Sequence, residues 1–182
     1  MRHYRPLAVL AVAAGSLLAL AGPAAAAPCA NATSRPGQAS EHVLAKATVC
    51  LVNRERTRRG MSSLRVNHRL SKAAVSHTLD MVEERYFEHV SKSGTDVVDR
   101  ILSTGYLGGV RSWLVGENLA WGTNSLSTPR RTVTNWMRSP GHRRNILNRR
   151  FREIGIGVVF PAPSGAPNPV AATYTTTFGY RR

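Results

Sequence analysis

The chain has 182 residues, with 25 lysines and arginines against 10 acids and a formal net charge of +15 with neutral histidines. Past an N-terminal leader and arm about 140 residues remain, enough for one domain with a real core and too few for two, and none of their segments is long and apolar enough to span a membrane. The cations are 22 arginines and only three lysines, in scattered runs (Arg54/Arg56/Arg58/Arg59, Arg130/Arg131, Arg143/Arg144, Arg149/Arg150/Arg152). No helix-turn-helix pattern, zinc-finger spacing or aromatic platform accompanies them, so nucleic acid is not the expected partner. A solvated surface with affinity for anionic cell-envelope polymers or lipids is the expectation.

Residues 1–27 read as a secretory signal peptide. Arg2 and Arg5 precede an apolar run from Leu7 to Ala21, then Pro23 and the small residues Ala24 to Ala27, with cleavage near Ala26 or Ala27. The run is shorter than the ~20 residues of a spanning helix. The mature protein is therefore expected to be secreted, extracellular and monomeric, and loss of Arg2 and Arg5 lowers its charge to about +13. Residues 28–39 form a low-complexity, flexible N-terminal arm, and residues 40–182 the domain. Two cysteines in an exported chain suggest one disulfide, Cys29 to Cys50, worth roughly 3 kcal/mol on the chain-entropy model. Two free thiols are the alternative. The spacing matches neither a redox pair nor a zinc cluster.

Helical signals fill the first half. From Glu41 to Arg58, Leu44, Ala47, Thr48 and Leu51 share one face, with Ser40 as cap and Gly60 past the end. A second helix is predicted from about Leu70 to Arg85, with Leu70, Ala73, Ala74, His77 and Met81 inward. A third spans Asp96 to Ser103 and stops at Gly105. Thr128 and Pro129 open a fourth, with Val133, Trp136 and Met137 inward. Ser139 and Pro140 repeat that pattern before a short helix carrying His142, Ile146 and Leu147.

Strands follow. Ile154, Ile156, Val158 and Phe160 alternate with Gly155, Gly157 and Val159, and after a loop from Pro161 to Pro169 Tyr174, Thr176 and Phe178 alternate again. Leu119 and Trp121 alternate after Glu117, which puts the G-E-N segment at the entry to a strand. Helices, then a sheet they can cover, read as an α+β fold.

Five segments carry a resemblance. They are L-V-N-R-E-R (Leu51 to Arg56), Y-F-E-H (Tyr86 to His89), G-E-N-L-A (Gly116 to Ala120), W-M-R-S-P-G-H-R-R-N-I-L (Trp136 to Leu147) and I-G-I-G (Ile154 to Gly157). In this order they resemble the bacterial branch of the cysteine-rich secretory protein, antigen 5 and pathogenesis-related protein (CAP) superfamily, over roughly Val43 to Gly179. The resemblance implies an α-β-α sandwich around a central antiparallel sheet. It also implies a cleft with two histidines and two glutamates, onto which His89, Glu117 and His142 map. Arg138 and Ser139 stand where the second glutamate is expected. Some relatives bind a divalent metal such as zinc through the two histidines, here His89 and His142; sterol or fatty-acid binding has been described for the family, and peptidase activity has been proposed for a few members.

The residues have a chemistry of their own. At the first turn of its helix, His142 faces the positive end of the dipole and should stay neutral, the form that ligates a metal or accepts a proton. Glu117 either orients an imidazole or accepts buried backbone N–H groups. Two histidines fall short of the three protein ligands usual for catalytic zinc. His77, Trp121 and Trp136 read as core residues, Asn118 and Asn145 as partners of backbone groups, and Ser139 as a helix cap. Trp113 lies in a glycine-rich loop. Two functions follow: a non-catalytic binding or effector module, or a metal-assisted peptidase or esterase with His89 and His142 as ligands and Glu117 as base.

Overall fold

The computed structural model describes Met1, residues 28–164 and residues 170–182. Residues 2–27 of the expected signal peptide and residues 165–169 of the Pro161–Pro169 loop lie outside the described residues. Helix α1 (Glu41–Thr57) starts where Ser40 accepts a hydrogen bond from the Val43 amide, and buries Leu44, Ala47, Thr48, Leu51 and Val52. Helix α2 (His68–Glu83) begins two residues earlier than its apolar periodicity suggests, because the Asn67 side chain caps the amides of Arg69 and Leu70. Asp96 and Asp99 form a capping box at α3 (Val97–Ser103). Thr128 and Pro129 open α4 (Pro129–Arg138) as expected. Ser139 occupies the cap position of α5 (Pro140–Ile146), but its side chain makes no capping bond, and Pro140 alone supplies the start signal.

Four strands form one sheet: β1 (Arg65–Val66), β2 (Trp113–Thr123), β3 (Glu153–Val159) and β4 (Ala171–Arg181), in spatial order β1-β3-β4-β2. The long pairs β2–β4 and β3–β4 are antiparallel. The two-residue β1 adds in parallel to β3 and makes the sheet mixed; two exposed residues carry no alternation that could announce a strand.

Alternation along β3 and β4 separates two layers. Ile154, Ile156, Val158, Tyr174 and Phe178 pack with Leu44, Val52, Val133, Trp136 and Ile146, beneath α1, α4 and α5. On the other face Thr177 donates to the Leu70 carbonyl and Thr78 to Thr175, while Leu70 and Ala73 pack with Ile101 and Tyr106 beneath α2 and α3. The α-β-α sandwich is thus built by a period-two pattern that offers a different side chain to each helical layer.

The second layer lies close because β3 carries glycines. A Cβ on Gly157 would meet the Ala74 carbonyl carbon at 2.7 Å. Between α1 and the segment before β3, Arg56 is 1 % exposed, and its guanidinium donates to the carbonyls of Ile146 (2.7 Å), Asn148 (3.0 Å) and Phe151 (3.4 Å).

The disulfide joins Cys29 to Cys50, with Cα atoms 5.8 Å apart. Ala32 is buried and its carbonyl accepts from the Arg130 amide, so residues 28–39 are tied to the core at Cys29 and Ala32. Trp136 is a core residue at 1 % exposure. Trp121 is not: it is 44 % exposed. Alternation placed it correctly on a strand, yet β2 is an edge strand and Trp121 is an exposed position between half-buried Ala120 and buried Gly122. Trp113 is likewise exposed, at the start of β2.

Candidate functional site

Glu117 and Asn118 stand side by side in β2 and project to opposite faces of the sheet, registered against Thr177 and Thr176. Because β2 is an edge strand, groups from both helical layers reach them around that edge.

The Glu117 side chain is 2 % exposed, and both its oxygens accept hydrogen bonds. Its Oε1 lies 2.8 Å from His89 Nδ1, and Arg100 Nη2 donates to both carboxylate oxygens at 3.2 and 3.0 Å. Arg100, from α3, has a side chain only 7 % exposed. It also donates to the His89 carbonyl (2.8 Å) and the Thr95 carbonyl (2.8 Å). One buried cation therefore fixes both the acid and the backbone of the segment that carries the histidine.

His89 follows a sharp reversal after α2, where Arg85 adopts φ 55°. His77, buried on α2 as the sequence suggested, donates from Nε2 to the Glu88 carbonyl at 2.9 Å and holds that segment from below. The Tyr86 hydroxyl donates to Asp80. The His89 side chain remains 57 % exposed, so its ring meets solvent while its Nδ1 meets the acid. The Glu117 hydrogen bond raises the His89 pKa.

His142 belongs to the opposite layer, in α5. Asn118 Nδ2 donates to its carbonyl (3.1 Å), and Asn145 Nδ2 donates to the Glu117 carbonyl (3.0 Å) and to Asn118 Oδ1 (2.9 Å). The two asparagines thus join α5 to the strand that carries the acid. The His142 ring lies 6.5 Å from that of Trp136. Its pKa is lowered, first by burial and then by the charge of His89. Neutrality is what helix position suggested, but burial is its leading cause.

The structure therefore bonds His89 directly to Glu117 and ties the helix that carries His142 to the same strand through Asn118 and Asn145. Two residues at the site escaped the sequence reading. Arg100 is the more informative, because it shares the buried face of α3 with Ile101, and a charge on a buried helical stripe signals a buried partner. His77 was recognised as buried but not as a support for the His89 segment.

A divalent metal at His89 and His142 would find two imidazoles and no available carboxylate. Glu117 is closed off by Arg100, and among the described residues no group of three or more His, Cys, Asp or Glu side chains could hold a metal ion. The donor set does not fit a resident zinc ion.

Comparison with known proteins agrees with this architecture. The model of the cysteine-rich secretory protein family (CAP) matches residues 49–174. The chain is 37% identical over 137 residues to the uncharacterized protein YkwD of Bacillus subtilis, covering 75% of this chain and 50% of that protein. The chain thus spans half the length of this relative. It superimposes on an extracellular protein containing a SCP domain from Bacillus anthracis with TM-score 0.63 and 27% identity, over 79% of this chain and 42% of that one. An outer surface protein of Borrelia burgdorferi gives TM-score 0.62 at 23% identity, over 75% of this chain and 92% of that one, a likeness of fold alone.

Proposed function

Because this chain belongs to the cysteine-rich secretory protein (CAP) family, we propose that it is a secreted, non-catalytic binding module of the cell envelope. Its His/Glu cleft recognises a polar group, and its basic surface engages anionic polymers or lipids. The observation that carries this reading is the state of Glu117. A general base must reach substrate, whereas this carboxylate is 2 % exposed, paired with a buried guanidinium and bonded to His89. The acid acts as a positioning group. It holds the His89 ring outward and favours its cationic form, beside a His142 that favours the neutral one. With its Nδ1 bonded to Glu117, the His89 ring presents its other edge to solvent, a geometry suited to hydrogen-bond recognition.

The leader-like sequence of residues 1–27 and the extracellular description of the Bacillus anthracis protein support export. A test incubates the mature chain with isolated envelope fragments and with peptide and ester substrates, with and without zinc. Co-sedimentation weakened by His89→Ala or His142→Ala, without time-dependent product, is expected. Turnover abolished by Glu117→Gln in a folded variant would establish the hydrolase instead.

A further inference from the structure

Folding gathers arginines that are dispersed in the sequence. The end of α1, α4 and α5 enclose a depression of about 410 Å³ lined by Arg54, Arg58, Arg59, Arg130, Arg138 and Arg143, with Glu55 the one carboxylate among its lining residues. A second depression, about 400 Å³, continues past Arg138 and Arg143 to Arg144. A third, about 260 Å³, continues on the other side past Arg130 and Thr134 to Arg131. Shared residues link the three into one track bearing eight arginines. Glu55 is taken by Arg58 and Arg59. Among the described residues, Arg54, Arg130, Arg131, Arg138, Arg143 and Arg144 have no carboxylate partner.

We propose that this track is a binding site for a linear phosphodiester polymer, a chain of polyol phosphates. The guanidinium fork matches two phosphate oxygens at once, which an ammonium does not, and a charged row fits repeating anions better than a single one. Guanidinium groups gathered along one track repel one another, and an anionic chain lying along them removes that repulsion. Two other polyanions fit less well. Single-stranded nucleic acid binds through aromatic platforms, and no aromatic side chain lines the track. A bilayer surface favours apolar side chains that insert beside the cations, and the large exposed apolar residues, such as Phe87, Trp113 and Trp121, lie off the track. The proposal rests on the basic-surface part of the function above and is independent of the cleft.

The test uses the full mature chain and poly(glycerol phosphate) as probe, read by calorimetric titration at low and at moderate salt. Arg130→Ser/Arg138→Ser/Arg143→Ser removes three track charges. Arg35→Ser/Arg65→Ser/Arg111→Ser removes three exposed charges elsewhere, and circular dichroism checks that both retain the fold. A loss of about tenfold or more for the track variant, against less than about threefold for the control, is expected, with affinity falling as salt rises. Equal losses would show generic charge attraction and overturn the track while leaving the basic-surface reading intact. No binding by the unaltered chain to this polymer, to anionic vesicles or to oligonucleotides would overturn both. Tighter binding per phosphate to phosphatidylglycerol vesicles or to oligothymidylate would overturn the polymer in favour of that ligand.

Discussion

Replacing Glu117 by glutamine tests whether the acid is a structural anion. Glu117 and Arg100 have side chains 2 % and 7 % exposed, so the substitution leaves a guanidinium out of water without its counter-charge. Breaking a buried pair from one side costs about 3–5 kcal/mol. Glutamine keeps one acceptor, and Arg100 keeps the carbonyls of His89 and Thr95, which puts the expected loss near the lower end, about 3 kcal/mol. For a domain of this size that corresponds to a fall in Tm of roughly 6–12 °C. Arg100→Met should cost somewhat more, since it strands a carboxylate beside His89 alone. The double variant has no stranded charge left and should cost less than the sum of the single losses, by about 2 kcal/mol. Urea unfolding followed by tryptophan fluorescence measures all three. A Glu117→Gln loss below about 1 kcal/mol, or strict additivity in the cycle, would refute the buried-anion argument.

The histidines should divide the pH dependence of stability. His89 has a folded pKa raised above its ordinary 6.5, so its contribution is complete below that value and is lost as pH rises through the folded value. The Tm difference between the unaltered chain and His89→Gln should therefore be largest below pH 6.5 and shrink as pH rises through the raised folded value. His77 and His142 have lowered values, so their contributions are present above 6.5 and lost as pH falls. His142→Gln should flatten the acid side of the same Tm profile. Cys29→Ser/Cys50→Ser opens a loop with a sequence separation of 21 and should lower stability by about 3 kcal/mol. Circular dichroism of that variant should still show the native fold, because the sheet and both helical layers lie downstream of Cys29.

Much of this architecture was legible because it is periodic. Leu44, Ala47 and Leu51 on α1, and Leu70, Ala73, Ala74 and Met81 on α2, mark buried faces by spacing alone, and the glycine-isoleucine alternation of β3 marks a strand. What failed depended on neighbours distant in sequence. Trp121 shares the alternation of Leu119, but alternation fixes a face and not how far the covering layer reaches. Asn67 starts α2 through a side-chain cap outside the apolar pattern, and β1 exists only because β3 lies beside it. At the site, the short segments around His89, Glu117 and His142 carried enough local character to be singled out. Arg100 did not, in a chain where arginine is common, and its pairing with Glu117 is what supports reading the acid as a positioning group. The basic runs looked scattered for the same reason: only the packing of α4 and α5 on α1 brings them together.

The glycines of β3 have a dynamic consequence. With Gly157 pressed against the Ala74 carbonyl, main chain meets main chain, and no side chain between them can change rotamer to let the layers slide. Helix α2 and strands β3 and β4 should therefore open only as a single cooperative unit, their amides exchanging with deuterium together and last in the molecule. His89 extends from the end of that unit and inherits its position from it. Motion around Glu117 is then expected on the side of α5, where side-chain bonds from Asn118 and Asn145 make the connection, while the side carrying His89 stays fixed.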